Sequence, residues 1–141
     1  MERVALAVVL AAVVVTVALV LQRRRPDPPS GAAPRHEAPP QVDRSDFERP
    51  DAPWLVVVFT SATCSTCAEV WSKAQVLASD EVAVQEVEAV RDRQLHERYQ
   101  VGAVPIVVIA DRDGVVVDSF LGPVSATHLW AALAEARSAE P

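Results

Sequence analysis

Cysteine is nearly missing from this 141-residue chain, which has two, Cys64 and Cys67. So close a pair closes almost no loop, which excludes a disulfide-stapled scaffold and leaves the pair to be explained by chemistry. Lysine is scarcer still: Lys73 stands alone among 13 basic residues. With the abundance of Ala and Val, this reads as the coding bias of a GC-rich genome, and no chemistry follows from it. Positive charge is short where a nucleic-acid surface would need it. Residues 51–141 carry six Lys/Arg against thirteen Asp/Glu, whereas residues 1–50 carry seven Arg against six acids. Without a basic face to neutralise phosphates, a nucleic-acid partner is excluded. Internal repeats are also missing. Charged residues make up 23% and hydrophobic residues 50%, a balance that argues against disorder over most of the length. Beyond the N-terminal segments about 90 residues remain, enough for one compact domain but not for a multidomain enzyme or a bulky organic cofactor site.

The apolar residues are unevenly placed. After a short N-terminal tail at residues 1–3, residues 4–21 (VALAVVLAAVVVTVALVL) hold no charge, and Thr16 is their one polar interruption. As a helix this run would measure about 27 Å, close to the hydrocarbon thickness of a bilayer, so a single transmembrane helix through lipid is expected at 4–21. The rivals are a cleaved secretory signal and a buried globular helix. Arg23, Arg24 and Arg25 follow the run directly and would obstruct cleavage. No Cys follows it to carry a lipid anchor. By the positive-inside rule the same arginines put the C-terminal domain on the cytoplasmic side of a single-pass membrane protein. The extracytoplasmic side is the alternative, in which they only anchor at headgroups.

Residues 22–53 read as an Arg/Pro-rich linker; eight of the eleven prolines fall between residues 26 and 53, which favours semi-rigid polyproline character. Its stretch 42–47 is a candidate short first strand. From residue 54 the texture changes. WLVVVFTS is a continuous run of strand formers, as a central strand buried on both faces requires. A helix is expected over 64–79, with Val70, Trp71, Ala74 and Leu77 on one face. Strand 82–90, helix 91–100, strand 104–110, a hairpin turn at 111–114, strand 115–121 and helix 126–137 then follow. Ser125 caps the last helix, which turns Leu129, Trp130 and Leu133 inward. The order β-α-β-α-β-β-α implies a mixed α/β central sheet with helices on both faces over residues 54–141.

Cys64-Ser65-Thr66-Cys67 lies at a strand-to-helix junction, where first-turn N–H groups and the helix dipole favour a thiolate. A first Cys there can attack a disulfide, and a second, one turn inward, can resolve the mixed disulfide. Two inert core cysteines or half a metal site are the plainer readings. Zinc would need two further ligands, and His36, His96 and His128 show no pairing with the cysteines; no metal site is assigned. A second element is Gly102-Ala103-Val104-Pro105 before the strand IVVIA, a place where a cis peptide is tolerated.

From Trp54 to Arg137 the sequence resembles the thioredoxin-like family. The likeness rests on WLVVVFTS leading into TCSTC, on RYQVGAVPIVVIADRDGVVVDSFLGPVS, and on the amphipathic last helix. Cys67 and Pro105 are 38 residues apart, near the family's usual spacing. The resemblance implies a thioredoxin-like fold, Cys64 as nucleophile, Cys67 as resolving thiol and Pro105 as a cis-proline beside them. It also implies that Val104 offers backbone hydrogen bonds to a bound peptide and that Gly122 lets substrate approach. The chain departs from the general reductants of the family at Thr63, where they carry Trp, and at Ser65-Thr66, where they carry Gly-Pro. Val58 stands in place of their buried acid, and Glu86 where they often have Lys. Glu86 is therefore a candidate for proton transfer, the alternative being an ordinary edge-facing carboxylate.

Blander roles suit the other conspicuous residues. Trp71 and Trp130 read as core and Trp54 as cover for the sheet end. His96 and His128 read as solvated helix residues, and Glu81, Glu88 and Asp92 as a solvated strand edge and helix start. The function expected is that of a membrane-anchored thiol-disulfide oxidoreductase with no metal, flavin or nucleotide cofactor. Its partners would be disulfide- or dithiol-containing proteins and an upstream protein electron donor or acceptor. The rival classes are a non-catalytic binding or redox-sensing module and a copper or zinc carrier.

Overall fold

The computed structural model describes residues 38–139. The expected tail at 1–3, membrane helix at 4–21 and first part of the linker, 22–37, lie outside the described residues. Among the described residues no helix is long and apolar enough to cross a membrane.

The elements run β1 (Trp54–Thr60), α1 (Cys67–Ala74), β2 (Val82–Glu88), α2 (Arg93–Arg98), β3 (Ile106–Ala110), β4 (Val116–Leu121) and α3 (Ala126–Ala139). The strands form one mixed sheet in the order β2-β1-β3-β4. β1 pairs parallel with β2 and antiparallel with β3, and β3 pairs antiparallel with β4. Every residue of β1 is buried, as its unbroken Val/Leu/Phe run requires of a central strand.

Because side chains alternate along a strand, β1 feeds two cores. Trp54, Val56 and Val58 meet Val70 and Ala74 of α1 and Leu129 and Leu133 of α3 on one face. Leu55, Val57 and Phe59 meet Val42, Phe47 and the partly buried Leu95 and Tyr99 on the other. Burying each large side chain is worth about 1.5–3 kcal/mol, so this strand contributes to both cores.

Three expectations are corrected. The stretch 42–47 docks on the domain not as a strand but as a 3-10 turn over Arg44–Asp46, with only an isolated bridge between Gln41 and Val115. The reason is local: the Asp43 carboxylate accepts the Ser45 N–H at 3.0 Å and the Ser45 hydroxyl at 2.6 Å, offering the backbone a turn in place of a ladder. Trp130 is not core but 46% exposed. The buried stripe of α3 is Leu129, Ala132 and Leu133, and Trp130 sits about 100° off it, where its indole N–H donates to the Lys73 carbonyl in the last turn of α1 at 3.1 Å. His96 is not solvated. It is buried, with Nε2 at 2.9 Å from the Val87 carbonyl and its ring edge-on to Phe59.

Candidate active site

The sheet register gathers the site at one end. Thr60 pairs with Glu88, Phe59 with Ile106, and Ile106 with Leu121. The loop leaving β1, the C-terminal end of β2, the start of β3 and the end of β4 therefore share one end of the sheet. The two cysteines, Val104-Pro105 and Gly122 all belong to those segments.

The helix expected from residue 64 begins at Cys67. Cys64 lies in the preceding turn, where its N–H donates to the Ser61 carbonyl at 3.0 Å. This turn keeps Cys64 partly exposed, while Cys67, on the first turn of α1, is 3% exposed. Their Cα atoms are 5.5 Å apart and the sulfurs are joined in a disulfide. One cysteine of the pair is thus partly exposed and the other buried. Thr66 Oγ1 lies 3.8 Å from Cys64 Sγ.

Beside the pair is a hollow of about 330 Å³, walled by Cys64 and Cys67, by Trp71 of α1 and Gln75 just after it, and by Thr60, Glu86 and Glu88 from the sheet. Glu86 stands on β2, an edge strand of the sheet. It pairs with Val58 in register, and the alternation of β2 puts it on the α1 side with Val82 and Val84. The Thr60 hydroxyl donates to Glu86 Oε1 at 2.9 Å, and Arg91 Nη1 stands 3.8 Å from Oε2.

Glu88 is a site residue that sequence reasoning missed. Its Oε1 accepts the Ala62 N–H at 3.1 Å, and its Oε2 accepts the N–H groups of Val90 and Arg91, each at 2.9 Å. The Arg91 N–H is the main cause that holds its carboxyl below the usual carboxylate range. Burial opposes that pull, and the Val90 and Ala62 N–H groups and the Arg91 charge add to it. The available signal was its spacing of two from Glu86, which puts both acids on one face of a strand. Thr60 was also missed, although it is the polar residue that ends an apolar run.

The Val104–Pro105 peptide is cis. The Pro105 carbonyl accepts the Gly122 N–H at 2.8 Å, which ties the start of β3 to the residue after β4. Gly122 has φ +86° and open space where a Cβ would stand. Val104, Pro105 and Gly122 share the sheet end with the cysteines but do not wall the hollow. Among the described residues no group of three or more His, Cys, Asp or Glu side chains is arranged to hold a metal ion.

No family model matches the chain, and no curated protein does. Solved structures do. Thioredoxin from Fasciola hepatica is 27% identical, with a TM-score of 0.52 over 61% of this chain and 83% of that one. The germline-specific thioredoxin Deadhead from Drosophila melanogaster is 26% identical, with a TM-score of 0.53 over 61% and 83%. A point mutant of thioredoxin from Halobacterium salinarum is 21% identical, with a TM-score of 0.56 over 74% and 95%. The chain has a thioredoxin-like α/β fold. That fold and its Cys-x-x-Cys pair support thiol-disulfide oxidoreductase chemistry in general.

Proposed function

We propose that the chain is a membrane-anchored thiol-disulfide oxidoreductase that exchanges disulfides with partner proteins through Cys64 and Cys67. The observation that carries this reading is the unequal exposure of the two joined cysteines, with Cys64 partly exposed and Cys67 buried. In the reducing direction the Cys64 thiolate attacks a partner disulfide, forming a mixed disulfide and releasing one partner thiol. Cys67 then displaces the second partner thiol, leaving the Cys64–Cys67 disulfide and a reduced partner. The same steps in reverse oxidise a partner dithiol. An upstream protein restores the starting state, and no metal, flavin or nucleotide takes part. Val104, Pro105 and Gly122 are the proposed backbone contacts for the partner's extended chain. Residues 4–21 are the proposed anchor and the cytoplasmic side the proposed location, supported by Arg23, Arg24 and Arg25 on the C-terminal flank of that run.

The test is trapping in membranes with the full chain. Cys67→Ala should accumulate mixed disulfides through Cys64, and Cys64→Ser should abolish them. An absence of mixed disulfides under both oxidising and reducing conditions would remove the reading. A C-terminal reporter active only outside the cytoplasm would overturn the proposed side, and membrane retention after deletion of residues 4–21 would overturn the anchor.

A further inference from the structure

We infer that the hollow beside the cysteines is a subsite for a cationic side chain, a Lys or Arg two residues from the reacting cysteine of the partner protein, with Glu86 as the residue that selects it; this rests on the oxidoreductase reading above. The sheet order places the subsite. β1, whose end leads to Cys64, lies between β2 on one side and β3 on the other. A partner chain held at Val104, Pro105 and Gly122, on the β3 and β4 side, passes over Cys64 to deliver its sulfur, and beyond lies the end of β2 with Glu86 and Glu88. In an extended chain alternate side chains share a face, so the residue two positions from the partner's cysteine points the same way as that cysteine. Its side chain meets the hollow, whose wall Cys64 shares with both carboxylates.

The lining suits a cation. Among the described residues no Lys, Arg or His walls the hollow. Glu88 adds negative charge but no free oxygen, since both of its oxygens accept backbone N–H groups. Glu86 is different. The hydroxyl of Thr60, a residue 1% exposed, takes Oε1 and fixes the carboxylate. Oε2 has the Arg91 guanidinium 3.8 Å away, but that group also binds Asp92 at 2.8 Å. One arginine thus answers two carboxylates, and Glu86 is left short of a full partner. Its side chain is 28% exposed, open enough to be reached and covered enough that a pair formed there is screened less than one on an open surface. Trp71 supplies an apolar wall for the methylene stem of a lysine or for a guanidinium, and about 330 Å³ admits one such side chain. An acidic side chain meets like charge in the same place, and an apolar one leaves the carboxylate unpaired. The excess of acids over residues 51–141 draws a basic partner segment toward the domain in the first place.

The experiment uses the reduced full chain and short one-cysteine peptides, each joined through its thiol to a chromogenic aryl thiol. Cys64 attacks the peptide sulfur, the Cys64–peptide disulfide forms, and the coloured aryl thiolate leaves; this is the first exchange phase. Cys67 then frees the peptide thiol in the second. The peptides are alike except two residues before or two residues after the cysteine, where they carry Lys, norleucine or Glu. The readout is the ratio of first-phase rate constants on two peptides within each variant, so that a general effect of a substitution on reactivity cancels. With wild type at low salt, Lys should react about fivefold faster than norleucine in one of the two placements, and Glu more slowly than either. The Lys advantage should fall to within about 1.5-fold in Glu86→Gln and turn into a preference for Glu in Glu86→Lys. Glu81→Gln, just before the start of β2 and so at its other end, should keep it. A wild-type ratio near one in both placements, or an advantage that Glu86→Gln keeps or that Glu81→Gln also removes, overturns the inference and leaves the oxidoreductase reading standing. Release of thiolate no faster than from a Cys64→Ser chain, with every peptide, removes that reading itself. Circular dichroism separates these outcomes from loss of the fold. If Glu86→Gln does not fold, wild type at about 0.5 M salt decides, because the Lys advantage should shrink there to within about twofold and an undiminished one overturns the inference.

Discussion

Glu88 Oε1 accepts the N–H of Ala62 at 3.1 Å, so a carboxylate at the end of β2 holds the turn that carries Cys64. Its other oxygen takes the N–H groups of Val90 and Arg91, and one side chain thereby ties two loops at the site. An amide has one acceptor oxygen, so Glu88→Gln must release one of these loops. The expected result is a first exchange phase about tenfold slower, as a misplaced nucleophile would give. The sign of the pH effect follows from the depressed carboxyl. The stability it contributes is present above the unfolded value of about 4.3 and is lost as pH falls through the lower folded value. Urea melts from about pH 5 downward should show a shallower acid loss in Glu88→Gln than in wild type. An unchanged slope would remove this role for Glu88.

His96 is expected to matter for stability and not for exchange. Its ring is buried against Phe59 at 5.4 Å between centroids. A carbonyl only accepts, so Nε2 carries the proton it donates to Val87 O. Replacing it by Ala removes the edge-on aromatic contact and leaves that carbonyl without its side-chain donor, at a cost of about 2–3 kcal/mol. Chemical denaturation of His96→Ala would measure this, and a change under about 0.5 kcal/mol, the size expected of a surface substitution, would contradict it.

His96 also marks where sequence reasoning stopped. The strands are legible because their signals are local: WLVVVFT is an unbroken run of strand formers, and Asp-Arg-Asp-Gly is made of residues that favour turns. The cysteine pair was legible for the same reason. The place of His96 depends on a partner far along the chain, Phe59, whereas Trp130 stays 46% exposed because the stripe of the last helix that the sheet takes up is Leu129, Ala132 and Leu133. Glu88 reads as a solvated acid until β1 and β2 pair in register and bring Ala62 beside it. Arg44 behaves likewise. Nothing local says that a charged residue between Asp43 and Ser45 will be buried with its guanidinium donating to the carbonyls of Asp111 and Ala52.

Tyr99 ties the N-terminal segment to α2 and should make the domain sensitive to high pH. Its hydroxyl donates to Asp46 Oδ2 at 2.5 Å and accepts the Asp43 N–H at 2.9 Å. Burial, and then the hydrogen bond to Asp46, push its pKa up to about 12. The fold thus favours the neutral phenol. The stability this gives is complete below the ordinary tyrosine value of about 10 and is lost as pH rises through about 12. Tyr99→Phe should lower stability at neutral pH by about 1–2 kcal/mol through the lost hydrogen bonds. It should also flatten the alkaline limb of the stability profile. Ultraviolet titration of wild type that showed ionisation near the ordinary value would contradict the assignment.

Two glycines with positive φ should respond in opposite ways to the same methyl group. At Gly114, φ +80°, a Cβ would stand 1.9 Å from the Val42 carbonyl oxygen. The Val42 N–H also donates to the Gly114 carbonyl at 2.8 Å, so neither backbone is free to move aside. Gly114→Ala should cost about 3 kcal/mol, the strain of a left-handed alanine together with a clash that opens the contact between the hairpin and residue 42. At Gly122, φ +86°, a Cβ meets nothing within 4 Å, and the expected cost is the backbone strain alone, about 1 kcal/mol. Its effect should instead fall on exchange. The added methyl enters the space proposed for the partner's chain, so reduction of a protein disulfide should slow several-fold while a small aryl disulfide reacts at the wild-type rate. Equal rates on both substrates in Gly122→Ala would remove Gly122 from the binding surface, whatever the melting curves show.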